Sequence, residues 1–110
     1  MADPGPPLLA DVFPPLAEPL AELLRERGED ALAAEVPQLR IHALCTCGLD
    51  VCASFHTSSR PMRRWWRRGR QVAFLTELPG EVVLDVVGGS IAYVEVTGWA
   101  EARRAIVGAA

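Results

Sequence analysis

EVVLDVVGGSIAYVEV, residues 81 to 96, is the stretch on which the fold turns. Two runs rich in Val, Ile and Tyr flank Gly88-Gly89, and a Gly-Gly pair accepts the positive φ angles that a two-residue hairpin loop requires. The segment therefore reads as an antiparallel hairpin. In the simplest register Val86 faces Ile91 and Leu84 faces Tyr93, which gives apolar cross-strand pairs.

The neighbouring segments extend this pattern. QVAFLTE, residues 71 to 77, reads as a further strand, and Leu78-Pro79-Gly80 turns the chain into the hairpin. Gln38 to Cys45 and Val51 to Thr57 read as an antiparallel pair joined through CTCGLD, with Gly48 in the turn. Downstream, Trp99, Ala102 and Ile106 recur at helical spacing, with Arg103 and Arg104 near the end, which predicts a short C-terminal helix. Near the start, a helix is expected from about Pro19, because Pro suits a helix's first turn and Pro14 and Pro15 precede it. Leu20, Leu23 and Leu24 then fall at helical spacing, and Gly28 supplies the stop. A second short helix reads from Glu29 or Asp30 to Val36, ended by Pro37. Residues 1–7, MADPGPP, are too rich in Pro and Gly for regular structure. The expected organisation is a disordered tail over 1–7 and a single α+β domain over 8–110. Its sheet is mainly antiparallel, of about five strands, with an N-terminal helical pair, a short Arg/Trp helix and a C-terminal helix.

Composition agrees with one domain. Half of the 110 residues are hydrophobic and 23% are charged, enough for one core and too little for two. All eleven basic residues are arginine, and Ala, Gly, Pro and Arg are abundant, a bias typical of a GC-rich bacterial genome. The first residues lack a signal-peptide pattern, and no apolar run approaches the roughly 20 residues of a membrane span. With three cysteines and no export signal, a disulfide framework is not expected, and the protein is placed in the cytoplasm.

Charge is segregated. Residues 1 to 59 hold three Arg and nine acids, residues 60 to 70 six Arg and no acid, and residues 71 to 110 two Arg and five acids, so -6, +6 and -3 give the net -3. Within the basic block lies MRRWWRRGR, residues 62 to 70. Pro61 suits a first helical position and Gly69 the residue past the end, so a short helix is expected between them. On that helix Met62, Trp65 and Trp66 share one side, and Arg63, Arg64, Arg67 and Arg68 the other. The arginines stand in two like-charged i,i+4 pairs, 63 with 67 and 64 with 68, which favours acidic partners. A docked structural element is the plain reading. The functional readings are a surface for a protein partner or a second copy, since Trp and Arg dominate binding hot spots, or for unpaired nucleic acid. The acidic remainder favours protein over nucleic acid, and one short element binds a membrane only weakly.

HALCTCGLDVCASFH gathers Cys45, Cys47 and Cys52 around one turn, flanked by His42 and His56. Three thiolates and one imidazole make a closed tetrahedral zinc site, so Cys45, Cys47, Cys52 and His56 are candidate ligands. The spacing is C-x-C followed by four residues and another Cys, which differs from the common C-x2-C knuckle. If Val51 to Thr57 is extended, Cys52 and His56 stand roughly 13 Å apart, at ~3.3 Å per residue. His42 points to the face opposite Cys45 and Cys47. A metal site then requires an irregular hairpin end or a ligand from elsewhere. A two-residue Gly48-Leu49 loop would instead set Cys45 opposite Cys52 as a redox pair, and packed reduced thiols are the third reading. A nucleophilic Cys with His56 as its base lacks an orienting third residue.

CTCG…CASF followed by LDVVGGSIAYVEV resembles small, uncharacterised bacterial proteins in which a cysteine-bearing hairpin precedes a strand-glycine-strand segment. The resemblance spans roughly residues 39 to 97 and implies the fold alone. No glycine-rich phosphate loop and no evident carboxylate couple is present, and Tyr93 reads as a core residue with its hydroxyl at an edge. The expectation is an accessory or binding protein whose interaction surface is centred on residues 60–70, with no catalysis. The alternatives are a zinc-stabilised nucleic-acid-binding protein and a thiol redox or Cys-dependent enzyme.

Overall fold

A computed structural model of the chain describes residues 5–58 and 69–109. Among these residues the architecture is α+β: four α-helices and a five-stranded antiparallel sheet. The short helix expected between Pro61 and Gly69 falls on residues outside that description, as do Arg63, Arg64, Trp65, Trp66, Arg67 and Arg68. No described helix is long and apolar enough to cross a membrane.

The N-terminal helices are α1 (Leu9–Val12), α2 (Pro14–Glu26) and α3 (Asp30–Glu35), the last running into a 3-10 turn over Val36–Gln38. Helix α2 starts at Pro14, five residues before the expected Pro19. Pro14 and Pro15 occupy its first positions, where an absent N–H forfeits no helical bond. Pro19 lies inside the helix, at a cost of about 3 kcal/mol. The apolar face made by Leu16, Ala17, Leu20, Ala21 and Leu24 runs on past it, with all three leucines fully buried. Burying each of those leucines contributes about 1.5–3 kcal/mol, which outweighs the proline.

Gly28, at φ +77°, ends α2. Its N–H donates to the Arg25 carbonyl at 3.0 Å, and the Glu29 N–H reaches back to Leu24 at 2.8 Å, the paired bonds of a Schellman stop. Arg27 then crosses to the sheet, 4.1 Å above the Phe74 ring and 2.6 Å from the Glu77 carboxylate. Pro6 and Pro7, assigned by sequence to a tail, are held by the body. The Pro7 carbonyl accepts from the Ile41 N–H at 2.9 Å, and that of Pro6 from Arg40 at 2.6 Å.

The strands are β1 (Ala43–Leu44), β2 (Phe55–His56), β3 (Arg70–Phe74), β4 (Glu81–Val87) and β5 (Ser90–Thr97), in the order β1-β2-β5-β4-β3. Strands β1 and β2 are much shorter than expected. Residues 39–41 pair instead with the N-terminal segment, through Leu9 to Leu39, Ile41 to Pro7 and a Leu8–Arg40 bridge. Helix α4 (Ala100–Ala109) follows β5, with Ala102 and Ile106 fully buried.

One sheet face carries Phe55, Val72, Phe74, Val82, Leu84, Val94 and Val96, all buried with the helical residues Leu16, Leu20, Leu32 and Ile106 in one core. The Gly88-Gly89 turn has both φ angles positive, 61° and 82°, and Val86 faces Ile91 as expected. Beyond that pair the simple register fails. Leu84 faces Val94, and Tyr93 faces Asp85, because the register shifts between Asp85 and Val86 and leaves Ala92 as an extra residue in β5. The bulge lets Ile91, Val94 and Val96 all enter the core, although they do not share one alternation. It also takes Tyr93 out of the core-facing set, and its ring lies 4.7 Å from that of His56.

Candidate metal centre

The cysteine hairpin takes its shape from β5. The Ala53 N–H donates to the Val96 carbonyl at 2.8 Å, Gly98 donates to Val51 at 3.0 Å, and Cys52 bridges Thr97. The limb after the turn is thus committed to β5, and residues 48–51 are left to reverse the chain. Gly48 does so at φ +76°, and the Cys52 N–H closes onto the Leu49 carbonyl at 3.2 Å.

Across the hairpin the Cys45 N–H donates to the Ser54 carbonyl at 2.8 Å. Cys45 therefore stands opposite Ser54. The two-residue loop that would have set it against Cys52 does not form, since β5 holds the second limb two residues out of that register. Continuing the β1–β2 pairing, Ala43 with His56 and Leu44 with Phe55, brings Cys47 level with Cys52.

The outcome is a cluster of three sulfurs, all within 4.8 Å of one another. All three are free thiols; Cys45 and Cys52 are half-buried and Cys47 is exposed. The irregular end that a metal site demanded is present, because β1 stops at Leu44 and regular pairing resumes only at Phe55. His56 does not join the cluster. It shares a face with Cys52 but lies four residues along the same limb, roughly 13 Å away, and its ring packs against that of Tyr93 at a tilt of 57°. His42 spends its N–H on the His56 carbonyl and is exposed.

Polar neighbours organise the thiols. The Cys52 thiol donates to the Ser54 hydroxyl oxygen at 3.3 Å. Ser54 is buried, accepts the Val96 N–H at 2.9 Å and donates to the Val96 carbonyl at 3.4 Å, so it stands in for a rung between β2 and β5. The Tyr93 hydroxyl, then the Cys47 backbone N–H, hold the Cys45 thiol down at about 7 against the opposing effect of burial; the thiols of Cys47 and Cys52 add to the lowering. Cys47 moves the other way. The Leu49 N–H favours its thiolate, but the sulfurs of Cys52 and Cys45, with burial, outweigh that and raise it. Burial, and then the bond to Cys45, push the Tyr93 phenol up and keep it a donor. Near neutral pH the cluster thus shares its first negative charge at Cys45.

The thiols open onto a small, partly enclosed cavity of about 140 Å³, completed by Leu44, Ala53, Arg103 and Val107. Arg103 and Val107 come from α4, so the cavity lies where the hairpin meets the C-terminal helix. Leu49, which lines it, is 61% exposed.

Three thiolates suit a soft or borderline ion such as zinc. Thiolates at ~2.3 Å from a tetrahedral ion lie roughly 3.8 Å apart. Sulfurs already within 4.8 Å close onto such an ion by about 1 Å or less per pair.

No family model, curated protein or solved structure matches the chain. The resemblance of CTCG…CASF to small bacterial proteins is therefore neither supported nor opposed, and the chemistry rests on the residues themselves.

Three of the four expected ligands come together, and His56 does not. Ser54, Tyr93 and Arg103 belong to the site without having been singled out for it. Tyr93 had one sequence signal: apolar residues at both parities of SIAYVEV, which a bulge reconciles. Arg103 had none, since its approach depends on how α4 packs.

Proposed function

We propose that this protein is a small accessory module built around a zinc–thiolate centre, with Cys45, Cys47 and Cys52 as the protein ligands. One observation carries the reading: three sulfurs within 4.8 Å of one another at an irregular hairpin end. The lowered Cys45 thiol supports it, because a metal competes with protons for thiolates. The ion ties together β1, β2 and the intervening turn, which few backbone bonds hold. A cytoplasmic setting fits, since a reducing compartment keeps the three thiols free for metal.

Metal analysis of protein purified without chelator tests this reading. One zinc per chain is expected, lost on replacing Cys47 with Ser. A folded protein that takes up no zinc when the metal is supplied in excess contradicts it.

We further propose that residues 60–70 form the surface for a protein partner or a second copy, on the strength of their sequence: five Arg, two Trp and a Met between Arg60 and Arg68 in an otherwise acidic chain. Replacing Trp65 or Trp66 is then expected to change the mass in solution or partner capture with little dependence on salt. Binding to single-stranded nucleic acid that falls steeply with salt and vanishes on replacing Arg64, Arg67 and Arg68 would favour the competing nucleic-acid reading.

A further inference from the structure

The centre proposed above has three protein donors, whereas tetrahedral zinc takes four. The chain's sequence restricts where a fourth can come from. It holds three cysteines and two histidines in all, and of residues 1–4, 59–68 and 110, which lie outside the description, only Asp3 is a Cys, His, Asp or Glu. Both histidines are described, and neither belongs to the thiol cluster; no described carboxylate does either, including Asp50 in the same turn. A closed structural site would supply all four donors, while sites that bind or exchange a ligand keep one position for it.

A second observation concerns the same cavity. Arg103, on α4, lines it together with the three cysteines. Its Nε is buried with no hydrogen-bond partner, and it is the sole side-chain nitrogen or oxygen in that condition among the described residues. A buried donor of this kind, on a group with permanent positive charge, is costly unless an acceptor reaches it. None of the three cysteines relieves it, and with the Nε closed off it is the permanent charge of the guanidinium that Arg103 brings to the cavity. The remaining walls are Leu44, Gly48, Leu49, Ala53, Val107 and Ser54, whose hydroxyl is already engaged by Val96 and Cys52. The cavity, about 140 Å³, amounts to between four and five waters at about 30 Å³ each, which limits its occupant to a few heavy atoms.

We propose that the metal's fourth position takes a small thiol carried on a carboxylate, with sulfur on the metal and the carboxylate on Arg103. The inference rests on the zinc–thiolate reading and goes beyond it by assigning a ligand class and a residue that selects it. Soft sulfur matches a metal already held by thiolates. The carboxylate supplies a counter-charge to the Arg103 side chain that lines the cavity, and the guanidinium fork suits that group. Binding is a ligand exchange. The thiol loses its proton to solvent, a sulfur–metal bond forms, and a metal-bound water departs. No electron changes hands. Zinc with three protein thiolates carries a net charge of -1, and the incoming thiolate makes it -2, so a nearby cation favours the exchange electrostatically. Arg103 is thus a positioning residue, acting on the ligand's charge and not on the metal.

Cobalt(II) provides the probe, because its visible spectrum reports both the loading of the site and the number of sulfurs on the ion. The intact protein is loaded with one equivalent, then titrated with mercaptoacetate and, separately, with 2-mercaptoethanol. Both thiols are expected to add a sulfur-to-cobalt band, and mercaptoacetate is expected to bind about tenfold or more tightly, as a charge-assisted bond to the carboxylate implies. Arg103→Met and Arg103→Gln are expected to load cobalt, to weaken 2-mercaptoethanol binding by no more than a few-fold and to lose the preference. Cobalt that loads but ignores both thiols overturns this inference and leaves the zinc reading intact. Equal affinity for the two thiols, or a preference that survives in both Arg103 variants, overturns the role of Arg103. Failure to load cobalt at all overturns the underlying metal reading together with this one.

Discussion

The Tyr93 hydroxyl is the largest influence lowering the Cys45 thiol, from two strands away, and it stands on that side because Ala92 is an extra residue in β5. The bulge sets Tyr93 opposite Asp85 and His56, on the face where the thiols gather. In the unbulged register it would stand opposite Leu84 on the helix-covered face, and Cys45 would lose the largest influence on its ionisation.

That dependence is measurable in metal-free protein. Cys45, held at about 7, is more than half ionised above that pH and protonated below it. Alkylation of Cys45 by iodoacetamide, followed by peptide mapping, is expected to rise through a midpoint near pH 7. Tyr93→Phe removes a donor to the thiolate, so the midpoint moves up and alkylation at pH 7 slows several-fold. An unchanged profile would show that the phenol does not stabilise the Cys45 thiolate.

Ser54 joins stability to the site. Its hydroxyl receives the Val96 N–H and the Cys52 thiol inside the protein. Ser54→Ala leaves the buried Val96 donor without that acceptor, a loss of about 1–3 kcal/mol. Urea unfolding of the metal-free protein is expected to show a lower midpoint with an unchanged slope.

Two glycines give opposite outcomes. A Cβ on Gly80 would lie 2.6 Å from the Trp99 Cβ and 2.7 Å from the Thr97 carbonyl oxygen, neither of which is the free end of a side chain. Gly80→Ala is expected to destabilise by about 1–3 kcal/mol through overpacking. Around Gly108, in α4, a Cβ meets nothing within 4 Å. Gly108→Ala is expected to stabilise by up to about 1 kcal/mol through helix propensity. Thermal or urea unfolding of the two variants separates these directions.

Zinc affinity separates the sequence-derived ligands. Cys45→Ser, Cys47→Ser and Cys52→Ser should each weaken binding by more than about a hundredfold, the upper range for losing even an outer-shell contact. His56→Ala should leave it within a few-fold, because His56 packs against Tyr93 outside the cluster. Competition against a chelator of known affinity reads both. A large loss in His56→Ala would return the imidazole to the ligand set.

How much of this was legible in the sequence depends on how local each feature is. The Gly88-Gly89 hairpin was readable because two adjacent glycines select the turn and the turn selects its first pairs; Val86 does face Ile91. The bulge was not, since it answers to the core's demand for Ile91, Val94 and Val96 together. Gly28 stopped its helix as its residue type dictates. Pro19 misled because a local steric rule lost to a buried face spanning several turns. At the site, C-x-C and a nearby third Cys announced a thiol cluster. Which residue faces Cys45 was open in the sequence, because β5, some forty residues on, holds Cys52 and Ala53 and thereby decides where the turn falls. Arg103 reached the cavity through the packing of α4, which no local pattern encodes.

The most direct test of a three-thiolate centre is X-ray absorption at the zinc edge on protein loaded with one equivalent and washed free of added thiol. Three sulfurs at about 2.3 Å and one lighter oxygen or nitrogen donor are the predicted shell. A shell of one sulfur or none, or zinc that washes away from folded protein, would contradict the account.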